Sequence, residues 1–413
     1  MPKYDVAVVG AGLGGLAAAA LLSTKKKRVI VLERSGSLDR AVGIYEKDGY
    51  SYCAAPSCSY GFERGGAFYE LSANLGIVQS VSAQTPSYQV ALPDHRISIY
   101  PDQTETLAEL RREFPREVNM LMRFYRDLQR LSENMTKSRL SAYLTTHRPA
   151  AWFIRKYHFS SELTAYFDIQ ALYFYQKPVT GISLLNLITL CDTPPLYLEG
   201  GFKKLADQLN STFLHQGGEI VFNQPVHEFA FQGSRIIGLK TKKGVVEADT
   251  ILLNLEHQSA ASTIYLGLTD TVIPVSMCPE VLFLPDYSMP RDFLSLSLSA
   301  KDDIAHAPKG MRVMSMAHRS EQKSTVDMQA LVDRISTLIP FLNDYLVFSD
   351  EHGSSEDKIV LPEGVTFKPV RSGEGRSPLL SRGSKKNVFL LENSLRSPLQ
   401  VISEVNRFVK KVS

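Results

Sequence analysis

Residues 4–34 read YDVAVVGAGLGGLAAAALLSTKKKRVIVLER, and this stretch decides the fold. Residues 6–9 are a short apolar run closed by Gly10, the pattern of a strand buried on both faces of a parallel sheet. Gly10, Gly12 and Gly15 satisfy G-x-G-x-x-G. The first permits a tight turn, the second lets backbone approach a diphosphate, and the third allows a helix to pack closely on the strand. Residues 16–22, rich in alanine and leucine, continue as a helix whose N-terminus offers N–H groups and partial positive charge to phosphates. Residues 29–32 form a second strand. It ends in Glu33, about 20 residues beyond the glycines, where a carboxylate accepts hydrogen bonds from a ribose. The glycines alone would be weak support; strand, turn, helix, strand and acid in that order predict a dinucleotide-binding unit. Asp5 and the lysines that follow the apolar run, instead of preceding it, argue against a secretory signal.

At 413 residues the chain exceeds what one core fills, so two domains are expected. The net charge of +3 comes with no long basic block, which gives nucleic-acid binding no support. Residues 25–28, the longest basic run, read as cations near a helix C-terminus. Outside the glycine-rich opening no apolar stretch reaches about 18 residues, so no membrane-spanning helix is expected. Four cysteines in a chain this long suggest no disulfide framework and fit a reducing cytoplasm. No histidine spacing suits a metal site, and no G-x-S-x-G serine elbow is present.

Further along, residues 43–52 read as a strand pair turning at Asp48-Gly49, and residues 68–75 as a helix. Residues 88–100 alternate around Pro93-Asp94 as a second hairpin. Apolar residues recur at helical spacing over 105–133, broken near Pro115. The aromatic stretch 151–190 reads as helices apolar all round, which serve as core, as the wall of an apolar cavity, or as both. Residues 202–214 then form a helix, 219–222 a strand, 226–248 a meander, and 250–253 a buried strand ending at Asn254. Residues 276–316 read as strands, 324–338 as a helix, 353–374 as a loop-rich linker, 388–391 as a strand and 401–412 as a terminal helix. The α/β character of the opening thus returns late in the chain. The expected fold is α/β: a discontinuous Rossmann-like FAD/NAD(P)-binding domain (residues 1–75, 197–262 and 376–413) with an inserted α+β substrate domain (76–196, helical, and 263–375).

Four stretches make the chain resemble the FAD-dependent amine oxidase and phytoene desaturase superfamily. They are VVGAGLGGLAAAALL with VLER; DGYSYCAAPS with ELSANLGI; YLEGGFKKLADQL with GGEIVFNQPVHEF and VEADTILLN; and NVFLLENS. The resemblance implies FAD as cofactor. Gly10, Gly12, Leu13, Gly14 and Gly15 would face its diphosphate, Glu33 its adenosine ribose with Arg34 beside it, and Val226 the adenine through backbone, with Asn393 in the last motif. It also implies an oxidoreductase of desaturase or isomerase type, acting on an elongated apolar, isoprenoid- or carotenoid-like substrate held between the sheet and the aromatic helices. Peripheral contact with a membrane would follow from such a substrate. No side chain stands out as a general acid or base, so no catalytic residue is named.

The chain departs from the family pattern in three places. Where the family has two glycines and a basic residue after the strand-end acid, this chain has Asp39, Arg40 and Ala41. Asp39 would set a carboxylate near phosphates, which Arg40 could offset by pairing with a phosphate oxygen. Glu392 and Asn393 replace a glycine and an aspartate, and Cys53 and Ala55 stand where an acid and a glycine are common. A reading of another class therefore stands beside the first: a non-catalytic member that has lost FAD and uses the fold for ligand binding or assembly. Two lesser readings are a redox dithiol of Cys53 and Cys58, and anion recognition by Arg371, Arg376, Arg382 and Arg396.

Overall fold

The structure, a computed structural model, describes residues 3–53, 55–137, 148–256, 263–304, 306–319, 327–352, 365–372, 375–393 and 398–412. Strand Tyr4–Val9 pairs in parallel with Val29–Leu32 on one side and Gly244–Glu256 on the other. The sheet runs Glu219–Val221, Val29–Leu32, Tyr4–Val9, Gly244–Glu256, Val388–Asn393, Gly375–Gly383, Phe367–Ser372. The first five strands are parallel and the last two antiparallel. Val226–Gln232 and Arg235–Thr241 fold back onto the start of Gly244–Glu256 as an antiparallel meander.

Alternation along these strands explains their continuous hydrophobicity. Val6, Val8, Val31 and Leu252 pack with helix Leu13–Thr24 and the closing helix Pro398–Val412. Ala7, Val9, Ile30 and Ile251 pack with Phe229, Ile236 and Leu239 of the meander. Both faces are thus covered, and neither can be polar. Helix Leu13–Thr24 is itself buried from Leu13 to Ser23, wedged against helix Gly201–His215 and the closing helix. Its four consecutive alanines leave room for those neighbours.

A second sheet runs Leu346–His352, Thr263–Thr269, Met311–Arg319, Phe293–Leu298, Glu280–Phe283, Tyr88–Ala91, Arg96–Ile99. The Pro93-Asp94 hairpin supplies its last two strands. One face packs Leu294, Leu296, Met314 and Met316 with helix Met328–Ile335. By alternation the other face carries Glu280, Ser295, Ser297 and Ser315 toward the helical layer. That layer comprises Gln103–Glu113, Val118–Lys137, Ser161–Tyr175 and Leu184–Asp192, with the expected break at Pro115. Its aromatic residues Phe153, Tyr157, Tyr166, Phe167, Tyr173 and Phe174 are core, whereas Trp152 is 48% exposed.

Two local readings need correction. Residues 245–248 and 250–253 are one strand, Gly244–Glu256, whose outer half pairs with the meander and whose inner half pairs with Tyr4–Val9. The linker expected over 353–374 is in part a strand: Phe367–Ser372 pairs with Gly375–Gly383, since ladder pairing outweighs the weak local propensity there. Residues 353–364 and 373–374 of that linker, and 324–326 of the expected helix 324–338, lie outside the described residues.

Gly14 tests the packing at the heart of this arrangement. A Cβ there would lie 2.7 Å from Val401 Cγ1, 2.8 Å from Asn254 Oδ1 and 2.9 Å from Leu391 Cδ2. Gly14→Ala is expected to cost about 1–3 kcal/mol, read as a lower urea midpoint at unchanged slope. A variant as stable as the parent would show that the closing helix yields freely.

Candidate cofactor site and adjoining cleft

The parallel strands all end on one edge, where an open α/β sheet places its ligand. Gly10 follows the first strand with φ +98° and donates its N–H to the Leu32 carbonyl at 2.8 Å. Gly12 precedes helix Leu13–Thr24 in extended conformation; the helix has no side-chain cap and no acid in its first turn. The N–H groups that a helix leaves unpaired at its start therefore suit an anion. Glu33 is 5% exposed. Its Oε2 accepts the Ala11 N–H at 2.6 Å and its Oε1 the Ser35 N–H at 2.7 Å, so the carboxylate is fixed against the glycine turn.

The structure brings most of the predicted residues to this edge. Leu13, Gly14 and Gly15 form the buried first turn of the helix. Arg34 follows Glu33 with an exposed side chain. Val226 begins the meander two residues beyond Gln224, whose N–H donates to the Glu33 carbonyl at 2.8 Å. Asn393 ends strand Val388–Asn393 in register with Glu256; its side chain, like that of Arg40 on the turn Leu38–Ala41, lies outside the described residues. Asp39 pairs with Lys203 Nζ at 3.0 Å, so a lysine from helix Gly201–His215 offsets the carboxylate, a partner the sequence reading did not name. Of the four arginines suggested for anion recognition, Arg382 donates to the Lys386 carbonyl within its own hairpin. The side chains of Arg371, Arg376 and Arg396 lie outside the described residues.

Asn254 is a functional candidate that the sequence reading passed over. It is 5% exposed, its Nδ2 donates to the Gly10 carbonyl at 3.3 Å, and its Oδ1 is buried with no hydrogen-bond partner. The signal was an amide at the end of the apolar run 250–253. Its place between the glycine turn and strand Val388–Asn393 puts a polar group midway along the edge.

A second polar group sits where the layers meet. Glu280, fully buried, accepts from Ser57 Oγ at 2.7 Å, from the Ser57 N–H at 3.3 Å, from Ser297 Oγ at 2.8 Å and from the Tyr173 hydroxyl. One carboxylate thereby joins the segment after strand Tyr50–Cys53, the aromatic helix and the second sheet. Beside it lies a narrow cleft lined by Pro56, Cys58, Ser59, Tyr173, Phe174, Pro398 and Leu399. A larger solvent-open cleft is lined by Tyr125, Tyr166, Phe167 and Gln170 among others. The aromatic helices are therefore core and cleft wall together.

The dithiol reading of Cys53 and Cys58 is not supported. The two form no disulfide, Cys58 is buried, and burial followed by the charge of Glu280 pushes its thiol well above the usual range, the opposite of what a redox nucleophile needs. Burial likewise raises Cys278 to about 11. Because the unfolded thiols release their protons first, this contribution to stability is fully present below pH 9.0 and is lost as pH rises toward about 11. Urea midpoints should fall across that window, and iodoacetamide should leave Cys58 unmodified until the chain unfolds. Glu280→Leu leaves Tyr173, Ser57 and Ser297 without their acceptor and is expected to cost about 3 kcal/mol in chemical denaturation. An unchanged midpoint would show that these donors find other partners.

Residues 8–71 match the NAD(P)-binding Rossmann-like domain family. The chain is 25% identical over 331 residues to the chloroplastic prolycopene isomerase of Arabidopsis thaliana, covering 73% of this chain and 55% of the relative. It spans about half the length of the curated relatives it matches first. Among solved structures, the Rab GDI of Plasmodium falciparum superposes with a TM-score of 0.66 at 12% identity, covering 99% of this chain and 97% of that one. Putrescine oxidase gives 0.57 at 13% identity, covering 100% and 99%. These likenesses to solved structures concern the fold. The glycine fingerprint and the sequence relationship make the chain similar to the superfamily of FAD-dependent amine oxidases and phytoene desaturases.

Proposed function

We propose that the chain is a FAD-dependent oxidoreductase of desaturase or isomerase type that acts on an elongated apolar, isoprenoid- or carotenoid-like substrate. The observation that carries the cofactor part is Glu33 held against an uncapped, glycine-headed helix. Each of its oxygens accepts one N–H and keeps a lone pair for a ribose hydroxyl. The residues fit a dinucleotide. Glu33 and Arg34 would take the adenosine ribose end, Val226 the adenine, and Gly10, Gly12, Leu13, Gly14 and Gly15 the diphosphate, with Arg40 and Asn393 as further contacts. Lys203 relieves the like-charge conflict that Asp39 would otherwise create, and the unpartnered Asn254 Oδ1 offers an acceptor along the edge.

From Val29–Leu32 to Val388–Asn393 the edge spans three strand spacings, about 14 Å. It leads to the start of the closing helix, where Pro398 and Leu399 border the smaller cleft. When bound there, FAD supplies a hydride acceptor. The chain's own part is to orient a C–H bond between Pro56, Phe174 and Leu399 and to keep water from it. The sequence relationship to a prolycopene isomerase supports the substrate class, and a lipid-soluble substrate makes peripheral membrane contact part of the reading.

Titrating the purified protein with FAD tests this directly. Saturable uptake, with the visible flavin band perturbed, is expected, followed by anaerobic conversion of phytoene or prolycopene presented in liposomes and resolved by chromatography. Colourless protein that takes up no FAD would decide for the non-catalytic reading.

A further inference from the structure

Trp152 is the chain's one tryptophan and lies on the surface. Phe153, Ile154 and Tyr157 turn inward and anchor the segment: Phe153 and Tyr157 both pack on Phe124 of helix Val118–Lys137. Their spacing forces Trp152, Arg155 and Lys156 outward. The Lys156 ammonium lies 3.9 Å from the centre of the indole ring and the Arg148 guanidinium 4.8 Å from it. Among the described residues no carboxylate pairs with Arg148, Arg155 or Lys156. The carboxylates that pack nearest this segment are engaged elsewhere: Asp127 accepts from the Tyr157 hydroxyl at 2.9 Å and Glu117 from the Ser160 N–H at 3.0 Å.

We propose that this face docks on the headgroup layer of an anionic lipid bilayer. Cations without acidic partners complement a negative surface, each adding attraction near the membrane. A soluble polyanion would use those cations alone. An exposed indole between them has an apolar body and a polar N–H, a combination favoured at the boundary between headgroups and hydrocarbon. The same helical layer carries the larger cleft, through contacts of Phe124 with Phe167. Docking here would therefore bring a lipid-soluble substrate to that layer. In this respect the inference deepens the substrate reading above.

The lone tryptophan makes the test direct. Full-length protein is mixed with vesicles of phosphatidylcholine containing phosphatidylglycerol, or of phosphatidylcholine alone, and read by Trp152 emission and co-sedimentation. A blue shift and sedimentation with the anionic vesicles only are expected. The triple variant Arg148→Gln, Arg155→Gln, Lys156→Gln should bind them about a hundredfold more weakly, with its urea midpoint unchanged. Trp152→Ala, followed by sedimentation, should also bind more weakly while remaining folded. The proposal is overturned if anionic vesicles fail to sediment the parent protein, if the triple variant binds like the parent, or if soluble heparin binds as tightly as the vesicles. No flavin or substrate enters the measurement. Protein that takes up FAD but ignores vesicles overturns only the docking surface; protein that binds vesicles but no FAD overturns only the redox reading.

Discussion

No side-chain carbon fits between Gly15 and the carbonyl of Gly10, where a Cβ would lie 2.1 Å from the oxygen. This forced closeness of helix to strand organises the rest. It brings Leu13–Thr24 low over the sheet, so that Val401 of the closing helix reaches Gly14 and the Asn254 amide reaches the Gly10 carbonyl. It also aims the uncapped helix start along the edge where Glu33 is held. A side chain at residue 15 would tilt the helix away and disperse all three. The chemistry of the edge is a consequence of packing before it is a matter of charge.

The opening unit was legible because its signals are local. The turn, the helix and the acid at the strand end lie within residues 4–34, and each has a backbone reason. The hairpins at Asp48-Gly49 and Pro93-Asp94 were legible for the same reason: Asp48 and Gly49 both adopt positive φ, as a two-residue hairpin turn requires. What escaped were pairings between distant segments. Lys203 meets Asp39 only once helix Gly201–His215 packs beside the first helix. Glu280 stands at the head of an apolar strand, and nothing nearby in sequence announces the serines and tyrosine that surround it. The edge strand Phe367–Ser372 was hidden because ladder partners, not its own residues, hold it extended.

The aromatic helices show how composition can be read correctly and still leave a role open. Tyr88 donates to Gln170 Oε1 at 2.6 Å and Gln170 Nε2 to the Tyr166 carbonyl at 2.7 Å, whereas the Tyr175 hydroxyl of the same helix is buried without a partner. The inner surface of this layer borders two clefts. The polar groups set the shape of the walls, and the aromatic rings supply the bulk of them.

Strand Gly244–Glu256 belongs to two pairing systems at once. Its outer half is laced to Arg235–Thr241, and its inner half, which contains Asn254, lies between Tyr4–Val9 and Val388–Asn393. One continuous backbone thus carries both ladders. Meander and sheet edge are therefore expected to open as one cooperative unit, with amide protons in both segments sharing a common free energy of opening.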